Sequence, residues 1–335
     1  MSALRKAAQP GPAVEIPQPP PGGHAQRMTS PAGGTIRYMH WRATRIPAIG
    51  TALVLPGFGE FIEKYHETAN DLLARGFEVF VMEWFGQGLS TRPLRNRGKV
   101  HVPDFARYLV DLGRLVDTVL PPRDGARPRL AMAHSMGAHL LLRYLKAHPR
   151  AFDVLVFCSP LADINYGRLP RWLARAVATA ACALGLSRAY LFGARDYDPR
   201  RVRFPGNRLT ADRARFLEPH AWIARNPELA VGGPTFGWLR AAQRSIALAR
   251  RKGFARDIRA PILVLAAAAD RVVCAEASRR LSKELPNATH IEIADAGHEL
   301  LRERDSVRTL LWQQIDGFLG LGANVSRPGA AAHAG

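Results

Sequence analysis

A serine, an aspartate and a histidine each follow directly on an apolar run, in the order Ser135, Asp270, His298. Ser135 lies in Ala133-His134-Ser135-Met136-Gly137, between the apolar residues 130–133 and a stretch with Leu140, Leu141, Leu142, Tyr144 and Leu145 at helical spacing, stopped by Pro149. This predicts strand, tight turn, helix. Small residues two before and two after the serine let such a turn pack closely and push its hydroxyl out at the carboxyl end of the strand, as a nucleophile requires. The spacing is that of G-x-S-x-G with Ala133 in place of the first glycine. Similar strings also occur in ordinary helices, so the strand-turn-helix setting carries the chemical reading.

An activated serine needs a base, a group that orients the base, and donors for an oxyanion. His298, after the apolar residues 289–293, can take the serine proton and return it to a leaving group, since neutral imidazole does both near neutral pH. Asp270, after residues 261–265, can fix the tautomer of that imidazole and stabilise the imidazolium. The bland alternatives are a turn-forming aspartate and a surface histidine. Asp295, Ser159, His134 and His139 are weaker candidates by position in the chain. The backbone N–H of Met136, directly after the serine, supplies one oxyanion donor, and that of Phe58, in Pro56-Gly57-Phe58-Gly59-Glu60, supplies the second. Phe58 can alternatively be read as a hydrophobic wall residue.

These residues must be brought to one edge by the elements before them. Apolar runs at 51–55, 77–82, 130–133, 154–158, 261–266 and 289–293 alternate with helical patterns at 61–75, 103–120, 276–284 and 300–319, with a further strand at 35–41. The fold class is therefore α/β, with a mainly parallel sheet covered by helices on both faces. About a hundred residues separate the strands at 154–158 and 261–266, more than a crossover needs, so residues 161–248 read as an inserted helical lid. The expected core is 35–160 with 249–320, flanked by a disordered arm (1–34) and tail (321–335). Gly86-Gln87-Gly88 is read as an ordinary strand-to-helix turn rather than a phosphate cradle, because the lysine of a phosphate loop is missing.

The 47 Lys and Arg against 28 Asp and Glu leave a formal charge of +19. That favours anionic surfaces, and peripheral contact with an anionic membrane is the partner it allows; arginine spread through every segment is the plainer explanation. No zinc-finger spacing or aromatic RNA-binding signature points to nucleic acid. Cys158, Cys182 and Cys274 lack metal-type spacing and fit a reduced compartment. With no signal-peptide core and no apolar run of about 20 residues, the expected location is cytoplasmic, on the inner face of the membrane if bound to it. No metal and no organic cofactor is implied.

Taken together, Gly57-Phe58-Gly59-Glu60, Gly86-Gln87-Gly88-Leu89-Ser90, Ala133-His134-Ser135-Met136-Gly137, Asp270-Arg271-Val272-Val273 and Gly297-His298-Glu299 resemble the bacterial lysophospholipases and monoacylglycerol lipases of the α/β-hydrolase superfamily. Asn207-Arg208-Leu209-Thr210 and Gly232-Gly233-Pro234-Thr235 resemble the lysophospholipase branch. The likeness spans residues 35–320. It departs at Pro56, where the family usually has histidine, and at Phe85, where it usually has arginine. The resemblance implies an α/β-hydrolase fold, a triad of Ser135, Asp270 and His298, and hydrolysis of a single-chain lipid ester through an acyl-Ser135 intermediate. An aminopeptidase or small-molecule carboxylesterase using the same triad is the second reading. A non-catalytic binding module is the third. The arginine-rich insert suits an anionic headgroup better than the ammonium of a peptide.

Overall fold

The computed structural model describes residues 16–321, apart from 124 and 126. Eight strands form one sheet: β1 (His24–Thr29), β2 (Thr35–Trp41), β3 (Gly50–Leu55), β4 (Phe77–Met82), β5 (Arg129–His134), β6 (Val154–Cys158), β7 (Ile262–Ala267) and β8 (Ala288–Ile293), in the order β1-β2-β4-β3-β5-β6-β7-β8. β3 to β8 run parallel, and β1 and β2 add to one edge antiparallel. The central strands are apolar on both faces because helices cover both: every residue of β5 and β7 is buried.

Eight α-helices accompany the sheet among the described residues: α1 (His66–Ala74), α2 (Ala106–Thr118), α3 (Met136–Leu145), α4 (Arg171–Ala183), α5 (Arg213–Arg225), α6 (Phe236–Ala249), α7 (Ala275–Glu284) and α8 (Asp305–Leu319). Leu72 of α1 and Leu311 and Ile315 of α8 pack with Val54, Met132 and Leu263 on one face. Leu112 of α2 and Leu140 and Leu141 of α3 pack with Leu53, Ala131 and Phe157 on the other.

Two boundaries differ from the sequence reading. The arm expected to reach residue 34 contains β1, which pairs with β2 from His24↔His40 to Thr29↔Thr35. β1 is an edge strand with only Met28 buried, so it carries no apolar run to reveal it. The insert between β6 and β7 is also not one detached element. Trp238, Ala242 and Ile246 of α6 join the core layer of α2 and α3, whereas α4 leaves most of its surface in solvent. Residues 1–15 of the expected arm, and the expected tail from 322, lie outside the described residues.

Parallel strands deliver their carboxyl ends to one edge, and the register aligns them: Leu55 faces Ala133, His134 faces Cys158, Cys158 faces Leu265, and Ala267 faces Ile293. Just past β5, Ser135 has φ 49° and ψ −113°. That conformation costs roughly 1–3 kcal/mol for a non-glycine residue and persists only if neighbours enforce it. They do: Ser135 N–H donates to Cys158 O (3.0 Å), while Ser135 O accepts from Leu161 N (3.0 Å) and His139 N (3.2 Å). A Cβ on Gly137 would stand less than 3.0 Å from the carbonyl oxygens of Leu55 and Pro56, so this position requires glycine. Gly137→Ala is therefore expected to lower stability by about 1–3 kcal/mol or more, as overpacking against immovable backbone does. Urea denaturation checks this, and an unchanged midpoint would contradict the close approach.

Candidate active site

The turn after β5 presents Ser135, the turn after β7 presents Asp270, and the turn after β8 presents His298. The structure brings all three together: Nε2 of His298 lies 2.9 Å from Oγ of Ser135, and its Nδ1 lies 2.7 Å from Oδ2 of Asp270. An ionised carboxylate only accepts, so Nδ1 carries the hydrogen and Nε2 faces the hydroxyl with its lone pair. The side chains of His298 and Asp270 are 5% and 1% exposed, so water does not compete for this chain of bonds. Oδ1 of Asp270 accepts from the N–H groups of Val272 (2.8 Å) and Val273 (3.0 Å). Burial by itself raises the pKa of Asp270, but the bond and charge of His298 and these two amides outweigh it and hold it below the ordinary value. The carboxylate is thus ionised wherever a neutral imidazole can act as a base.

Met136 opens α3, where first-turn N–H groups lack intrahelical partners. In the turn after β3, Gly57 N–H donates to Oε2 of Glu60 and Gly59 N–H donates to Oε1 of Gln87, while Phe58 N–H between them has no acceptor among the described residues. A Cβ built on Gly57 would lie 3.3 Å from Cβ of Ser135, so this turn adjoins the hydroxyl. Two free amides beside a serine fit an oxyanion hole. The Phe58 ring packs edge-on against Trp238, with centroids 4.6 Å apart, so the residue also serves as wall.

The weaker candidates do not join the hydrogen-bonded chain from Asp270 to Ser135. Asp295 is exposed with φ 52°, the hydroxyl of the buried Ser159 has no partner among the described residues, and His139 bonds Ser245 behind the elbow. Cys158 is fully buried, and that burial pushes its thiol up to about 12, away from the reactive thiolate.

Ser135 and His298 open into a cavity of about 280 Å³. One wall is apolar, built from the insert residues Leu209, Phe216, Pro219, Ile223 and Val231. The other is a buried charge cluster that the sequence reading did not find. Nζ of Lys64 bridges Oε1 of Glu60 (2.7 Å) and Oε1 of Glu299 (2.8 Å), Tyr65 donates to Glu60 (2.5 Å), and Arg302 reaches Glu299 (3.3 Å) and Glu218 (3.2 Å). Burial pushes both Glu60 and Glu299 upward, yet Lys64 and the other cations and donors hold each below the ordinary range; Lys64 is raised in turn by its two carboxylates against its own desolvation. His134 lies beside it, ring centroid 4.8 Å from that of His298, with burial holding its pKa down to about 4 and Nε2 without a partner among the described residues. Glu60 and Lys64 sit four apart, a spacing visible in sequence, but no local signal links them to Glu299.

Because the two carboxylates are depressed, their contribution to stability is complete above the ordinary glutamate value and is lost as pH falls through the lowered ones. Lys64→Met leaves both without their shared cation and is expected to cost about 3–5 kcal/mol, the range for breaking a buried pair. It should also move acid unfolding to higher pH. A loss below about 1 kcal/mol in urea, with an unmoved acid midpoint, would contradict the cluster's weight.

Three comparisons with known proteins agree. Residues 47–305 match the family described as serine aminopeptidase, S33. Lysophospholipase L2 of Escherichia coli is 31% identical over 291 residues, covering 84% of this chain and 83% of its own length. The probable lysophospholipase L2 of Haemophilus influenzae is 29% identical over 271 residues, with 80% and 83% covered. In fold, a soluble variant of monoglyceride lipase from Saccharomyces cerevisiae aligns with a TM-score of 0.70 at 19% identity, covering 93% of this chain and 99% of that one. The strand order, the elbow and these matches lead to one assignment: the chain has the α/β-hydrolase fold and belongs to the serine aminopeptidase S33 family.

Proposed function

We propose that this carboxylic ester hydrolase cleaves single-chain lipid esters, lysophospholipids or monoacylglycerols, through an acyl-Ser135 intermediate. The observation that carries the reading is the hydrogen-bonded chain from Asp270 through His298 to Ser135, opening on a cavity with one apolar and one polar wall. Oγ of Ser135 attacks the ester carbonyl carbon while Nε2 of His298 takes its proton; the N–H groups of Met136 and Phe58 receive the developing oxyanion. Collapse expels the alcohol, which leaves with the proton from Nε2. Water then attacks the acyl carbon, giving a proton to Nε2, and Ser135 regains it as the fatty acid departs. Asp270 stays ionised and stabilises the imidazolium in both halves. No step calls on a metal or an organic cofactor.

The apolar wall fits the acyl chain, and the Glu60–Lys64–Glu299 wall fits the hydroxyl-bearing alcohol. α5, with the segment carrying Leu209, forms the lid over this cavity. The likeness to lysophospholipase L2 over 84% of this chain supports a lysolipid substrate. An aminopeptidase would need a carboxylate for the substrate's ammonium group, but Glu60 and Glu299 are both already engaged by Lys64 and further donors. Ester cleavage is therefore the better match to the cavity.

No helix among the described residues is long and apolar enough to cross a membrane. The insert nevertheless exposes Trp172 (71%), Leu184 (77%) and Phe192 (87%), with Arg168, Arg175 and Arg188 also exposed along the same stretch. Apolar side chains among cations suit peripheral attachment to an anionic bilayer. Ser135→Ala is expected to lower turnover by about 10⁶-fold toward lysophosphatidylcholine and monoacylglycerol, as removal of such a nucleophile does; retained esterase activity would end the assignment. The doubly substituted Trp172→Asp, Phe192→Asp protein should lose binding to phosphatidylglycerol vesicles at low salt, where attraction is strongest. Absence of vesicle binding by the unsubstituted protein would remove the membrane part alone.

A further inference from the structure

The Phe58 N–H belongs to a peptide set between two glycines, the residues least able to hold a backbone in place unaided. Something outside the turn must fix it, and the turn after β4 does so at three points. The indole Nε1–H of Trp84 donates to Pro56 O (2.7 Å), Oε1 of Gln87 accepts from Gly59 N–H, and Oε1 of Glu83 accepts from Ile62 N–H (3.3 Å). The other oxygen of Glu83 accepts from Leu89 N (2.7 Å) and Ser90 N (3.1 Å), and Arg37 donates to its first (3.0 Å), so the fixing segment is itself tied down. Gly88, at φ 53°, wraps so closely on Glu83 that any side chain there would strike its carboxylate.

Within this frame Gln87 is singular. It is fully buried, and its Nε2 finds no partner among the described residues. Turning the amide over would set NH₂ against the Gly59 N–H, donor against donor, so Oε1 must face the glycine. With Gly57 N–H held by Glu60 and Gly59 N–H held by Gln87, the peptide planes on either side of the 57–58 peptide are fixed, and the Phe58 N–H is left pointing free.

The geometry points to Gln87 as a positioning residue for the oxyanion donor at Phe58, acting through Gly59 rather than on substrate. This rests on the proposed function, in which Phe58 N–H receives the oxyanion. Gln87→Leu keeps the volume and removes the acceptor; Gln87→Glu keeps an acceptor oxygen. The diagnostic is the ratio of rates on an ester and on the matching thionoester, whose sulfur accepts hydrogen bonds poorly and so gains little from oxyanion donors. Gln87→Leu should lower kcat on the ester about ten- to a hundred-fold, approaching the loss of one oxyanion donor, with KM changed by less than about two-fold, and should shrink the ester-to-thionoester ratio. Gln87→Glu should restore both. Because both substrates are read on one sample, partial unfolding cancels from the ratio. A wild-type ratio in Gln87→Leu overturns the role of Gln87 while leaving the triad untouched. Absence of any ester preference in the unsubstituted protein overturns the oxyanion reading and this inference with it, whereas failure of the nucleophile assignment would show in Ser135→Ala.

Discussion

The backbone at Ser135 is the constraint from which the site is built. A residue at φ 49° does not stay there unaided, and here β6 takes its N–H while the loop after β6 and the first turn of α3 share its carbonyl. The same bend presses Gly137 against the last carbonyls of β3, which fixes the distance between the serine and the turn carrying Phe58. Ser135 and the turn carrying Phe58 are thus placed relative to one another by one packing contact. The strand register then places Asp270 and His298 on the same edge without further adjustment.

Electrostatics in this chain divide by burial rather than by number of charges. Exposed pairs such as Lys146–Asp257 and Arg280–Glu276 are screened by water and salt and contribute little. The bridge from Lys64 to Glu60 and Glu299 lies beside Ser135 and His298, out of water, where a missing partner leaves an uncompensated charge. The +19 formal charge is a sum over the whole sequence, while a few dry ionic groups shape the cavity.

Much of this was legible in the sequence because parallel strands buried on both faces announce themselves. The runs at 77–82 and 154–158 coincide with β4 and β6, and each chemically suggestive residue followed directly on such a run. What stayed hidden had physical reasons. β1 is an exposed edge with no apolar face, and α5 carries Pro219 and weak periodicity. The charge cluster joins residues 60, 64, 218, 299 and 302, which only the fold brings together. Gln87 looked like a routine turn residue beside glycines, because its partner, the Gly59 amide, leaves no mark in a sequence.

The proposed mechanism is covalent, with the acyl group passing through the hydroxyl of Ser135. Rapid acid quench of the protein mixed with lysophosphatidylcholine, followed by intact-mass and peptide-mass measurement, tests it directly. One acyl increment per chain is expected, on the peptide containing Ser135. Turnover with no acyl adduct at any quench time, or an adduct on another residue, would contradict it.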